Sequence, residues 1–109
     1  WDIRHGPINA IVPNLVLPSH HGPDVRTVLP NIEVFTISLS VPTTVMHMHS
    51  LTVDLEKQAD IKGTIKLFKD TTRVRMVKNT EGIRSTAEIM EYAKDIGNSR
   101  GDMPEICVW

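Results

Sequence analysis

Over residues 32–41 the chain alternates: Phe35, Ile37, Leu39 and Val41 are apolar, and Thr36, Ser38 and Ser40 between them are polar. A period of two is what a half-buried β-strand requires, because successive side chains leave a pleated backbone on opposite sides. Pro42, Thr43 and Thr44 interrupt the pattern. It resumes over residues 45–55, with Val45, His47, His49, Leu51, Val53 and Leu55 on one face and Met46, Met48, Ser50, Thr52 and Asp54 on the other. Two strands so close in sequence are expected to pair as antiparallel neighbours. Further on the period lengthens. Asp60 is placed to cap a helix running through Phe68, with Ile61, Ile65 and Phe68 at helical spacing and Gly63 weakening it. Residues 73–78 read as a strand. In Ser85-Thr86-Ala87-Glu88 the serine can cap the Glu88 amide and the glutamate can reciprocate, so a helix starts there. Ile89, Ala93 and Ile96 continue it at i, i+4 and i+7, and Gly97 or Asn98 suits a left-handed exit. Residues 105–109 read as a last strand.

Ahead of these elements, residues 6–30 carry Pro7, Pro13, Pro18, Pro23 and Pro30 with Gly6 and Gly22, which predicts a shaped loop region without long regular elements. Short apolar runs at 8–12 and 15–17 suit brief strands, and Asn14 and residues 20–24 suit turns between them. The order strand, strand, helix, strand, helix, strand predicts an α+β class: a mostly antiparallel sheet with two helices on one face. There are no internal repeats, low-complexity tracts or linkers. No glycine fingerprint opens a strand-turn-helix unit, so the chain is expected to be a single domain, 1–109, without a nucleotide-binding domain.

The 109 residues suffice for one domain, and with 12 Lys+Arg against 13 Asp+Glu there is no net field to draw in nucleic acid or an anionic membrane. No apolar run approaches the roughly 20 residues that span a bilayer, and no charged start followed by an apolar stretch suggests a signal peptide. The expected compartment is the cytoplasm. The single cysteine, Cys107, excludes an internal disulfide framework. Flanked by Ile106 and Val108, it reads as a small buried hydrophobe rather than a nucleophile.

Four of the five histidines fall into two groups, His20-His21 and His47-x-His49. His47 and His49, two apart on one strand face, can converge on one small molecule, proton or ion. Three readings are open: each is a half-buried histidine with a hydrogen-bond partner; the two groups together form a metal site; or one histidine is a general acid or base and the other pair binds an anionic substrate. The turn Ser19-His20-His21-Gly22-Pro23-Asp24 offers a hydroxyl, two imidazoles and loop amides to a phosphate, or is a solvated turn.

Three blocks in order, Gly6-Pro7-Ile8-Asn9-Ala10-Ile11-Val12-Pro13, Pro18-Ser19-His20-His21-Gly22-Pro23-Asp24-Val25 and Val41-Pro42-Thr43-Thr44-Val45-Met46-His47-Met48-His49, resemble the archaeal branch of the glyceraldehyde-3-phosphate dehydrogenases. Weaker similarity continues through Ser85-Thr86-Ala87-Glu88-Ile89-Met90-Glu91 to Asp102-Met103-Pro104-Glu105-Ile106. The resemblance implies a partial catalytic domain whose antiparallel sheet carries the substrate site, in a cytoplasmic homotetramer. The implied reaction is a step of glycolysis and gluconeogenesis. A cysteine thiolate attacks glyceraldehyde 3-phosphate, hydride passes to NAD or NADP, and inorganic phosphate releases 1,3-bisphosphoglycerate. By match to the third block His47 is the catalytic base. Ser19, His20 and His21 fall where substrate contacts are expected, and no position is matched to cofactor or metal. The family's Ser-Cys-Asn-Thr nucleophile segment and the paired arginines ahead of the first block are absent from these residues, and the 13–18 loop looks a residue short. The expectation is a fragment inactive by itself. The rival readings are a histidine-based metal-binding module and a non-catalytic interaction domain.

Overall fold

The computed structural model describes residues 11–43 and 46–109. They fall into two units, divided between Met46 and His47. In the first unit, β1 (Val12–Pro13) and β2 (Leu39–Ser40) pair antiparallel, with Val12 opposite Ser40 and Pro13 opposite Leu39. The pairing continues past the regular ladder. The Asn14 amide donates to the Ser38 carbonyl at 3.0 Å and the Ser19 amide to the Thr36 carbonyl at 2.9 Å. Pro13 and Pro18 have no N–H to give, so the ladder along 12–19 is necessarily broken.

Two expectations change here. The 32–41 segment does have an antiparallel neighbour, but it is the upstream stretch 12–19 and not residues 45–55. The alternation is also present with its sense inverted. Val34, Thr36 and Ser38 are half-buried, whereas Phe35 and Ile37 are 69% and 66% exposed. The polar side is the one that finds hydrogen-bonding partners across the pair, and Phe35 and Ile37 on the apolar side are left uncovered by the described residues. The Thr43 amide then donates to the Val41 carbonyl at 2.7 Å, closing a three-residue turn at Pro42. Thr44 and Val45 lie outside the described residues, and Met46 has φ 71°, a left-handed value rare for a residue with a Cβ. Residues 47–55 are exposed and have no ladder partner among the described residues. The expected second strand is absent there.

A third correction concerns residues 20–24, expected to be a turn, which instead open α1 (His21–Val28). Proline is tolerated in a first helical turn, where its missing N–H would have no partner, so Pro23 does not break this helix. Asp24 in the same turn faces the positive end of the helix dipole. The Leu29 amide closes the last turn on the Val25 carbonyl, and Pro30 follows.

The second unit follows its sequence pattern closely. Asp60 caps α2 (Ile61–Asp70), its carboxylate accepting from the Gly63 amide at 2.8 Å. Arg73, at φ 64°, turns the chain into β3 (Val74–Met76), which contacts α2. A 3-10 turn (Asn79–Glu81) leads to α3 (Thr86–Asp95). Ser85 Oγ accepts from the Glu88 amide at 3.2 Å, and Glu88 reaches back to the Arg84 amide at 2.7 Å, one residue before the amide a simple capping box would engage. At the other end Gly97, at φ 103°, donates to the Lys94 carbonyl and Asn98 to the Ala93 carbonyl, both at 2.9 Å, the paired bonds of a Schellman exit.

The chain from the 3-10 turn through α3 serves as the crossover to β4 (Ile106–Val108), which lies parallel to β3 with Arg75 opposite Cys107. The α+β class therefore holds, but the described residues form one antiparallel pair and one parallel pair rather than a single mostly antiparallel sheet. Val77, Ile83, Ile89 and Ala93 form the buried centre of this unit, and the Trp109 indole donates to the Ile83 carbonyl at 2.8 Å. Arg75 ties sheet to helix. It donates to Glu105 Oε1 at 2.7 Å and to the Tyr92 hydroxyl at 3.0 Å, with its guanidinium 5.6 Å from the Tyr92 ring centre. None of the described helices is long and apolar enough to cross a membrane.

Two outcomes follow. Ser85→Ala removes the oxygen that caps α3 and is expected to cost about 1 kcal/mol in urea unfolding; an unchanged midpoint contradicts the cap. The Arg75 hydrogen bond holds the Glu105 carboxyl below its ordinary value of 4.5. A depressed folded pKa means stability that is present above the unfolded value and lost as pH falls through the folded one. The melting temperature is therefore expected to drop as pH falls below about 5, and to drop less in Glu105→Gln. Equal drops in both proteins rule out the assignment.

Candidate functional site: the histidine turn

The turn that carries His20 and His21 is pinned from beneath by one hydroxyl. Thr36 Oγ1 accepts from Ser19 Oγ at 2.8 Å and from the Gly22 amide at 3.0 Å, and donates to the Ser19 carbonyl at 3.0 Å. A threonine hydroxyl has one proton and two lone pairs, so its capacity is filled. Ser19 is 0% exposed, and its amide is held by the Thr36 carbonyl. Gly22 is buried too. A Cβ there would lie 3.1 Å from both Thr36 Oγ1 and the Val34 carbonyl, so the helix start sits tight against the strand. Expected among the groups offered to a phosphate, the Ser19 hydroxyl is instead committed to Thr36.

Above this anchor the side chains of His20, His21 and Asp24 are exposed, and the two imidazole rings lie 4.0 Å apart at 44°. His20 and Asp24 stand four apart and His21 and Asp24 three apart, the spacings that meet on one helical face. Donor atoms of all three lie within 4.8 Å of one another. The turn thus presents two imidazoles on a backbone that cannot easily shift, an arrangement suited to binding an anion or a cation.

His47 and His49 lie in the second unit, exposed and outside any regular element. They do not share a strand face, because no strand forms there. Cys107 sits in β4, and burial pushes its thiol up from the ordinary value, against the pull of Arg75. That is the reverse of what activates a nucleophile. An open cleft of about 430 Å³ beside β3 is lined by Lys69, Val74, Arg75, Met76, Lys78, Glu81 and Glu105, and none of the candidate residues reaches it. Its charges are largely spent on each other, Arg75 on Glu105 and Lys78 on Glu81. Sequence reasoning missed Thr36 and Gly22 as the supports of the histidine turn. The polar half of the 32–41 alternation was the available signal.

A family model described as glyceraldehyde 3-phosphate dehydrogenase, C-terminal domain, matches residues 2–103. The chain belongs to that family. Over 109 residues it is 55% identical to the glyceraldehyde-3-phosphate dehydrogenase of Methanococcoides burtonii, covering 99% of this chain and 32% of that protein. The enzyme of the same name from Methanothermobacter thermautotrophicus is 51% identical over 108 residues, covering 98% of this chain and 32% of its own length. That of Thermococcus onnurineus is 48% identical over 108 residues, covering 99% and 32%. The chain therefore spans about a third of the length of these archaeal relatives.

The anchor can be tested directly. Thr36→Val strips a buried Ser19 hydroxyl of its acceptor, a loss of about 1–3 kcal/mol. The Ser19 amide is then expected to exchange with deuterium about tenfold faster or more, while amides of α3 are unaffected. Unaltered Ser19 exchange contradicts this account of the turn.

Proposed function

We propose that the chain is the substrate-site part of an NAD(P)-dependent glyceraldehyde-3-phosphate dehydrogenase, which oxidises and phosphorylates glyceraldehyde 3-phosphate to 1,3-bisphosphoglycerate. The observation that carries this reading is the family match over residues 2–103, with relatives of that name at about half identity. The exposed apolar row of Phe35, Ile37 and Leu39 supports a chain that works joined to further polypeptide. In this reading the enzyme is a cytoplasmic homotetramer.

His20 and His21 contact the phosphate of the substrate or the incoming inorganic phosphate. Imidazole N–H groups on a pinned turn give charge-assisted hydrogen bonds to phosphate oxygens without a large ordering cost. Ser19 acts from beneath as a positioning residue. His47 is the general base: it takes the proton of a nucleophilic thiol and later manages the proton of the hemithioacetal hydroxyl. That thiol is not Cys107, which sits in β4 with its pKa pushed up by burial, the reverse of what activates a nucleophile. The left-handed Met46 just before His47 supports a functional segment, since strained backbone gathers at such places. The family implies a nicotinamide cofactor, NAD or NADP, which accepts hydride when bound. The described residues hold no glycine-rich strand-to-helix turn of the kind that cradles a pyrophosphate, so no residue here is assigned to it.

The test replaces the matching region of the Methanococcoides burtonii enzyme, in frame, with this chain, and follows phosphate-dependent reduction of NAD and NADP. Activity is expected, and His47→Asn should lower kcat by about 10²–10⁴-fold. In the same protein His20→Ala and His21→Ala should act mainly on the KM for phosphate or substrate. Full activity of the His47 variant would sink the assignment of the base, and an inactive chimera would sink the enzyme reading.

A further inference from the structure

The histidine turn has a property that the dehydrogenase reading does not use. Two imidazoles and a carboxylate, His20, His21 and Asp24, converge at the start of α1 with donor atoms within 4.8 Å of one another. Phosphate recognition calls for the imidazoles but not for Asp24, whose carboxylate would repel an anion. A cation uses all three. The convergence follows from helical spacing, and the backbone beneath is fixed by the filled Thr36 hydroxyl and by Gly22 pressed against the Val34 carbonyl.

We propose that His20, His21 and Asp24 form a three-ligand site for a divalent first-row transition ion of the zinc class. The donor set is the argument for that class. Neutral imidazole nitrogen suits zinc, nickel and copper, whereas magnesium and calcium take oxygen ligands. Bonds of about 2.0–2.2 Å in a tetrahedral arrangement put donors roughly 3.3–3.6 Å apart. The three side chains, whose donor atoms lie within 4.8 Å of one another, therefore have to close by at most about 1.5 Å, which exposed side chains do by small torsional adjustments. With three protein ligands, the remaining coordination is left to water, as in open zinc sites. The inference does not rest on the dehydrogenase reading, because binding to this chain is measured without turnover.

The experiment uses the untagged 109-residue chain, zinc chloride and magnesium chloride as probes, and side-chain histidine NMR alongside calorimetry. One equivalent of zinc is expected to move the His20 and His21 ring signals while those of His47 and His49 stay in place, and magnesium is expected to move none. Asp24→Asn should weaken zinc at least about tenfold, since even outer-shell changes reach that size. His21→Ala should abolish stoichiometric binding, and His47→Asn should leave it unchanged. Far-UV circular dichroism confirms that each variant keeps its helices. The exposed Asp24→Asn change, which removes no packing, decides the matter if a histidine variant does not fold. Unmoved His20 and His21 signals at one equivalent overturn the proposal. So does equal zinc affinity in Asp24→Asn, or loss of binding in His47→Asn as complete as in His21→Ala.

Discussion

Because Pro13 and Pro18 cannot donate, the pairing of residues 12–19 with 36–40 cannot be carried by a backbone ladder alone, and the Thr36 hydroxyl takes over where the ladder stops. Its proton goes to the Ser19 carbonyl and its lone pairs to Ser19 Oγ and the Gly22 amide. Each such bond contributes only about 0.5–1.5 kcal/mol net, but leaving one of these groups buried and unmade costs more. That asymmetry fixes the geometry. Ser19 has no exposed alternative for its hydroxyl, Gly22 has no room for a side chain, and α1 has to begin where His20 and His21 stand. The imidazoles are outside, and the constraint that aims them is inside.

The second unit rests on a different balance. Its elements are short, so each relies on its ends: Asp60 and Ser85 at helix starts, Gly97 at a helix exit, Arg73 at the turn into β3. Arg75 then couples β3 to β4 through Glu105 and to α3 through Tyr92. The Arg75 side chain is about a third exposed, so the pair is worth less than its geometry suggests, and solvent screens it. Its value lies in register. A planar donor that must satisfy a strand-end carboxylate and a helix phenol at once allows few relative positions of the three elements.

The legibility of the sequence divides along the same line. Where structure is local, as at Asp60, Ser85 to Glu88 and Gly97, the chain announces it, because a cap and its amide are three residues apart. Where structure depends on contacts far along the chain, pattern alone misleads. The alternation of Phe35, Thr36, Ile37 and Ser38 predicted an extended segment correctly, but which face is covered depends on a hydrogen-bonding partner 17 residues away. The proline cluster likewise looked like a loop. Pro23 instead falls in the one helical turn that tolerates it. His20 and His21 were recognisable as a pair, and Asp24 as a neighbour, but the shared helical face that joins the three needed the helix to be known.

His47 poses the opposite problem. Its block is the most distinctive stretch by resemblance, yet the strand expected to present it does not form among residues 47–55. A strand's alternation is only a potential: without a ladder partner the backbone groups are better solvated by water, and the apolar side chains gain nothing by lining up. The chain spans about a third of its relatives' length, and a segment whose apolar residues are exposed, such as Leu51 at 80%, is one that further polypeptide would order. On that argument the two histidine groups differ in kind. The histidine turn is built by its own unit, whereas His47 would gain its fixed position only in a larger assembly.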